Sequence, residues 1–150
     1  MAKRVLFVCT GNTCRSPMAV GLLRKMAPHL DLEIRSAGTS TYAGSPASPL
    51  AIETMDEVGI DITDHCSSTL NGYMLDEADF VFCMAERHRR HIVDWFRSMD
   101  DKVYLLREFD PVRNDSDYPD VPDPIGHDID EYRRVLTMLE RSMHEVIKIL

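Results

Sequence analysis

The stretch Lys3-Arg4-Val5-Leu6-Phe7-Val8-Cys9-Thr10-Gly11-Asn12-Thr13-Cys14-Arg15-Ser16-Pro17 decides how this chain folds. Lys3 to Cys9 carries the uninterrupted apolar run Val5 to Cys9 between polar residues, the pattern of a strand buried on both faces. Ser16-Pro17 predicts a helix start, with serine as the capping residue and proline at the first helical position. Met18, Leu22, Leu23 and Met26 then recur at helical spacing. A buried strand that enters a helix through one short loop is the first half of an α/β unit.

The same alternation continues outward. Glu33 to Ala37, Phe80 to Met84 and Val103 to Leu106 read as further strands. Ser48-Pro49 repeats the capping device, with Ala51, Met55 and Val58 on one face and Gly59 as a stop. Residues 85 to 97 and 130 to 150 read as helices, the last with Tyr132, Val135, Leu136, Leu139, Met143, Val146, Ile147 and Leu150 as its apolar stripe. The expectation is a three-layer, Rossmann-like α/β fold, a four-stranded parallel sheet flanked by helices, in a single domain over residues 1–150. In such sheets ligands bind beyond the carboxyl ends of the strands, and Cys9 ends the first one.

Composition narrows the function classes. The chain has 150 residues, 44% of them hydrophobic and 28% charged, enough for a core without disulfide or metal staples. A net charge of -8 argues against a nonspecific nucleic-acid binder. The Arg-His-rich stretch Arg87 to His91 is the local exception and reads as a solvated helix face. No apolar run approaches the ~20 residues needed to cross a bilayer, so a cytoplasmic protein without membrane partners is expected; the assembly expected is a monomer or weak homodimer. The four cysteines then read as thiols of a reducing compartment. None has the spacing of a zinc site, and His88 and His91 lack a partnered ligand set, so no metal or other cofactor is expected.

Cysteine and arginine bracket the loop Cys9-Thr10-Gly11-Asn12-Thr13-Cys14-Arg15. A loop of that length can wrap its N–H groups around a tetrahedral dianion, and the helix N-terminus adds donors and a positive dipole. The Arg15 fork matches two phosphate oxygens. The same field favours a thiolate at Cys9, and Ser16 is placed to donate to that sulfur. The rival nucleotide-binding loop needs a second glycine and a Lys-Ser or Lys-Thr pair, both absent here. Against this stands the plainer reading of Cys9 as a strand-end cysteine buried for packing; the strand, loop, Ser-Pro and helix in sequence outweigh it. A leaving atom also needs a proton from a carboxylic acid. Asp123-Pro124 and Asp110-Pro111 are the candidates, and Asp123 is preferred because Pro122, Pro124 and Gly126 stiffen its loop.

These residues resemble the low-molecular-weight protein tyrosine phosphatase family over essentially the whole chain. The resemblance is carried by residues 5 to 17, Arg35-Ser36-Ala37-Gly38, Asp61 to Leu70 around His65, Phe80 to Met84, and Asp123-Pro124-Ile125-Gly126. It implies a phosphatase acting on phosphorylated proteins, with Cys9 as nucleophile, Arg15 as phosphate clamp and Asp123 as acid and later base. It implies that Asn12, Ser16, Ser36 and His65 hold the loop in shape, and that Cys14 can pair reversibly with Cys9 under oxidation. Thr10, Gly11, Asn12, Thr13, Cys14, Arg15, Ser16, Tyr42 and Ile125 are then the candidate substrate contacts.

Tyrosine-specific members are similar to one another in a bulky aliphatic residue where Thr13 stands and in tyrosines where Ile125 and Gly126 stand. Losing those rings removes the walls of a phenyl pocket, and a loop with threonine is similar to that of bacterial protein-arginine phosphatases. Phosphoarginine is the favoured substrate and phosphotyrosine the alternative. Two other classes stay open: an arsenate reductase relaying oxidation through Cys66 or Cys83, and a noncatalytic phosphoprotein-binding module.

Overall fold

A computed structural model describes residues 2–112 and 119–150. β1 (Lys3–Cys9), β2 (Leu32–Gly38), β3 (Phe80–Cys83) and β4 (Val103–Leu105) form one parallel sheet in the order β2-β1-β3-β4. Both sheet neighbours of β1 are strands, which is why its sequence is apolar on successive residues. Side chains alternate across the sheet. Val5, Phe7 and Cys9 face a core built with α1 (Arg15–Met26), α2 (Pro49–Asp56) and α5 (Ile129–Ile147). Leu6 and Val8 face a second core completed by α3 (Gly72–Glu77) and α4 (Glu86–Trp95). The expected three layers follow.

Within the first core Phe82 packs centroid to centroid with Phe7 at 5.7 Å, Tyr104 at 5.6 Å and Phe109 at 5.9 Å. Contacts of this kind add about 0.5–1.5 kcal/mol each beyond the area they bury. The stripe of α5 lies on this side, with Tyr132, Val135, Leu136, Leu139, Met143 and Val146 buried.

Several element boundaries differ from the sequence reading. Ser48 caps α2 as expected, accepting the Ala51 N–H at 3.4 Å, but Val58 lies beyond the helix and is exposed. Leu106 leaves β4 and opens a 3-10 turn over Leu106–Phe109. The helix α3 was not expected; its six residues are too few for periodicity, and its one sequence signal is Asn71, whose side chain accepts the Met74 N–H at 2.9 Å.

Ser16 is the clearest correction among the helix starts. The first helix begins at Arg15, with Cys14 at the capping position and no side-chain cap, so Pro17 is its third residue. Proline is tolerated there because N–H groups of the first turn have no partner within the helix.

Asp110 is also resolved by the fold. Its carboxylate is fully buried and makes paired hydrogen bonds with Arg141 Nε and Nη2, both 2.9 Å, which tie the turn after β4 to α5. Burial raises its pKa, but the Arg141 bonds, the Val112 N–H and the charges of Arg141 and Arg107 together bring it below the ordinary carboxylate value. A group held ionised and enclosed in this way is structural. Removing it strands Arg141, so Asp110→Ala is expected to lose about 2–3 kcal/mol, somewhat less than a fully buried pair because Arg141 can rehydrate. Because the folded pKa is depressed, the contribution is complete above pH ~4 and drains away as pH falls below it. Chemical denaturation at pH 7 and pH 3 checks both: the gap between wild type and variant should narrow at the lower pH.

Candidate active site

β1 delivers Cys9 to the carboxyl edge of the sheet, where the chain turns through Asn12 into α1. Asn12 takes a left-handed backbone conformation, φ 55°, which few residues other than glycine adopt readily. The structure holds it there with every polar group it has. Its Nδ2 donates to Ser16 Oγ at 2.7 Å and Ser36 Oγ at 2.9 Å, and its Oδ1 accepts the Ser68 N–H at 2.8 Å. Its carbonyl accepts from His65 Nε2 at 2.6 Å, and its own N–H points at Cys9 Sγ at 3.2 Å. Asn12, Ser16, Ser36 and His65, four residues singled out in the sequence, therefore form one network around a fully buried asparagine.

That network aims a proton at the sulfur. Ser16 Oγ lies 2.9 Å from Cys9 Sγ. Since Ser16 Oγ already accepts from Asn12, its single proton is left for Cys9. With the Asn12 N–H, two donors converge on the sulfur.

Gly38 at the end of β2 allows the loop to close. A Cβ there would sit 2.6 Å from the Thr10 carbonyl oxygen, which instead accepts the Ser40 N–H at 3.0 Å.

Arg15 is 2% exposed. Its Nη1 donates to the Val121 carbonyl at 2.9 Å, and its Nη2 lies 3.7 Å from Asp123 Oδ2. Val121 N–H in turn donates to Met84 O at 2.7 Å, and Asp120 accepts the Glu86 N–H at 2.8 Å. The guanidinium is thus pinned between its own helix and the segment that carries Asp123, with that segment anchored to the end of β3 and the start of α4.

Cys9, Thr10, Gly11, Asn12, Thr13, Cys14, Arg15, Asp123 and Ile125 line a cavity of about 180 Å³. Asp123 is partly exposed at its mouth, and its Oδ1 accepts the Ile125 N–H at 3.1 Å, which folds Ile125 over the rim. Tyr42, 88% exposed, is in a neighbouring hydroxyl-rich groove shared with Gly11 and Thr13 rather than in the cup itself. Cys14 Sγ turns toward Ser48 Oγ at 3.2 Å and Tyr132 at 3.5 Å, and all four cysteines are free thiols. A sulfur that receives the Ser16 hydroxyl and the Asn12 main-chain N–H, a fixed guanidinium beside it and a carboxyl group at the entrance are parts that phosphoryl transfer through a covalent intermediate requires.

The sequence profile of the low molecular weight phosphotyrosine protein phosphatases matches residues 4–150. The chain belongs to this family. Among relatives of this phosphatase family, a Bacillus subtilis protein-arginine-phosphatase is 36% identical over 96% of this chain and 94% of its own. A low molecular weight protein tyrosine phosphatase from T. tengcongensis superposes with a TM-score of 0.89 at 38% identity, covering 99% of this chain and all of the other. A YwlE arginine phosphatase mutant with a phosphorylated active-site serine superposes at 0.88 with 36% identity, covering 98% and 95%.

One residue that the sequence placed on a solvated surface belongs to this site. His88 is 1% exposed, and its Nε2 lies 2.8 Å from Thr10 Oγ1. Burial, with the charges of Arg15, Arg87 and His91, lowers its pKa to about 3. His91 points outward against Trp95, so the two histidines do not share a ligand site. Cys83 is buried in the core on the α3/α4 side of the sheet while Cys9 packs on the other, and burial raises its thiol pKa well above the ordinary value. A redox relay through Cys83 would have to cross the sheet. Among the described residues no helix is long and apolar enough to span a membrane.

Proposed function

We propose that this member of the family is a protein phosphatase that transfers a phosphoryl group from phosphoarginine to Cys9 and then to water. The observation that carries the reading is the set of donors converging on Cys9 Sγ beside the pinned Arg15 fork. In the first step the sulfur attacks phosphorus, the S–P bond forms, and the P–N bond breaks as Asp123 gives its proton to the departing guanidino nitrogen. In the second step Asp123 takes a proton from water, the water oxygen attacks phosphorus, and the S–P bond breaks to return the thiolate and inorganic phosphate. Arg15 and the loop amides neutralise the charge on the equatorial oxygens in both steps.

Phosphoarginine is favoured because Thr13 presents a short polar side chain to the cup and Ile125 offers no ring to sandwich a phenyl group. The presence of a protein-arginine-phosphatase among the relatives supports the same choice. The second reading is phosphotyrosine, favoured by the exposed Tyr42 ring beside Thr13.

Phosphate release from a phosphoarginine peptide and a phosphotyrosine peptide, measured side by side, tests the choice. Wild type is expected to prefer phosphoarginine, and Thr13→Ile to shift the kcat/KM ratio toward phosphotyrosine by about tenfold or more, the effect of about one pocket contact. Absence of phosphoarginine turnover in wild type overturns the assignment.

A further inference from the structure

The contact between α4 and the loop has no place in the mechanism above. His88 sits at the third position of α4, and its Nδ1 accepts the Ala85 N–H at 3.0 Å. Glutamate or glutamine commonly does this at such a position. Histidine differs in having a second ring nitrogen. With the Nδ1 lone pair engaged by a donor, the proton of the neutral ring resides on Nε2, so the 2.8 Å contact runs from Nε2–H to Thr10 Oγ1. Burial, with the charges of Arg15, Arg87 and His91, lowers its pKa to about 3, so the ring is uncharged at neutral pH.

Thr10 follows Cys9 directly and lines the cup. Its hydroxyl oxygen also receives Arg87 Nη2 at 3.4 Å. A hydroxyl whose oxygen accepts from two nitrogen donors has one proton left, and it serves as a donor. In the proposed mechanism the phosphoryl oxygens in the cup that Thr10 lines are the adjacent acceptor.

We propose that His88 is a positioning residue of the phosphatase: through Nε2–H it fixes the Thr10 hydroxyl as a hydrogen-bond donor to the phosphoryl oxygens held above Cys9. The proposal rests on the phosphocysteine mechanism for its kinetic consequence and on the geometry of the cup alone for anion binding. It gives Thr10 a role that its backbone does not fill, and it explains why a histidine is buried uncharged beside two arginines.

The test is a mutant cycle between positions 88 and 10, with Tm recorded for every variant. His88→Asn and Thr10→Val are each expected to lower kcat/KM by about tenfold, the usual effect of one hydrogen bond to a charged group. The double variant should lose no more than the worse single one, because both remove the same donor. Thr10→Ser, which keeps the hydroxyl, should stay within about twofold of wild type and remain sensitive to His88→Asn.

Competitive inhibition by inorganic phosphate, or its direct binding by calorimetry, should weaken in parallel. Losses that multiply in the double variant, or a Thr10→Val enzyme that turns over and binds phosphate like wild type, overturn the proposal. A drop in Tm with kcat/KM per reactive Cys9 unchanged also overturns it, since that reduces His88 to packing. If wild type releases no phosphate from any phosphopeptide, the functional reading fails. Phosphate affinity across the same variants then still decides the His88–Thr10 pair.

Discussion

Cys9→Ser is expected to abolish multiple turnover, by on the order of 10⁴-fold or more, while leaving the affinity for a phosphopeptide nearly unchanged. In the proposed mechanism the anion is held by loop amides and by Arg15, whose anchor on Val121 does not involve the sulfur. The proposed chemistry does involve it, twice. Serine ionises far less readily than cysteine, so attack slows. An oxygen–phosphorus ester is also a much poorer leaving bond than a thiophosphate, so any phosphoserine that forms at position 9 persists. The expected observation is at most one phosphate per chain, retained on the protein in a mass spectrum, with no catalytic release into solution. Phosphate release at the wild-type rate contradicts the covalent mechanism outright, whereas loss of binding together with turnover shows that the loop has collapsed.

The parts of this site that could be read in the sequence are local ones. Cys9 and Arg15 lie within one loop, and the apolar run before them reads as a buried strand, so the fold class and the place of the candidate site were legible together. The α5 stripe was equally readable, because Tyr132 to Val146 repeats over enough turns for a period to show.

Long-range pairing decided what could not be read. His88 has arginines on either side in the sequence. It is buried only because the pairing of Val8 with Cys83 places the start of α4 beside Thr10. Its faint signal was Ala85, a capping residue with no side chain able to cap. Ser16 carries the local preference of a helix cap, but closing the loop around Asn12 moves the helix start to Arg15 and turns the hydroxyl toward Cys9. Asp110 and Asp123 look alike as Asp-Pro pairs. Arg141 occupies the first, and the exposed mouth of the cup receives the second.

Asp123→Asn should divide the two chemical steps. Asparagine keeps the side-chain oxygen that accepts the Ile125 N–H, so the turn and the rim of the cup survive, but it can neither give nor take the proton. With phosphoarginine or phosphotyrosine, whose leaving atoms need that proton, the rate is expected to fall by about 10²- to 10⁴-fold. With an aryl phosphate bearing an electron-withdrawing group, the phenolate leaves without help, so the first step recovers. Hydrolysis of the phosphocysteine does not recover, because the base that activates water is still missing whatever the substrate was. The variant should therefore release one equivalent of activated phenol per Cys9 in a burst and then turn over slowly, and Asp110→Asn should show no such burst. An equal loss for every leaving group, without a burst, would place Asp123 outside the proton transfer and leave it its contacts with Arg15 and the Ile125 N–H.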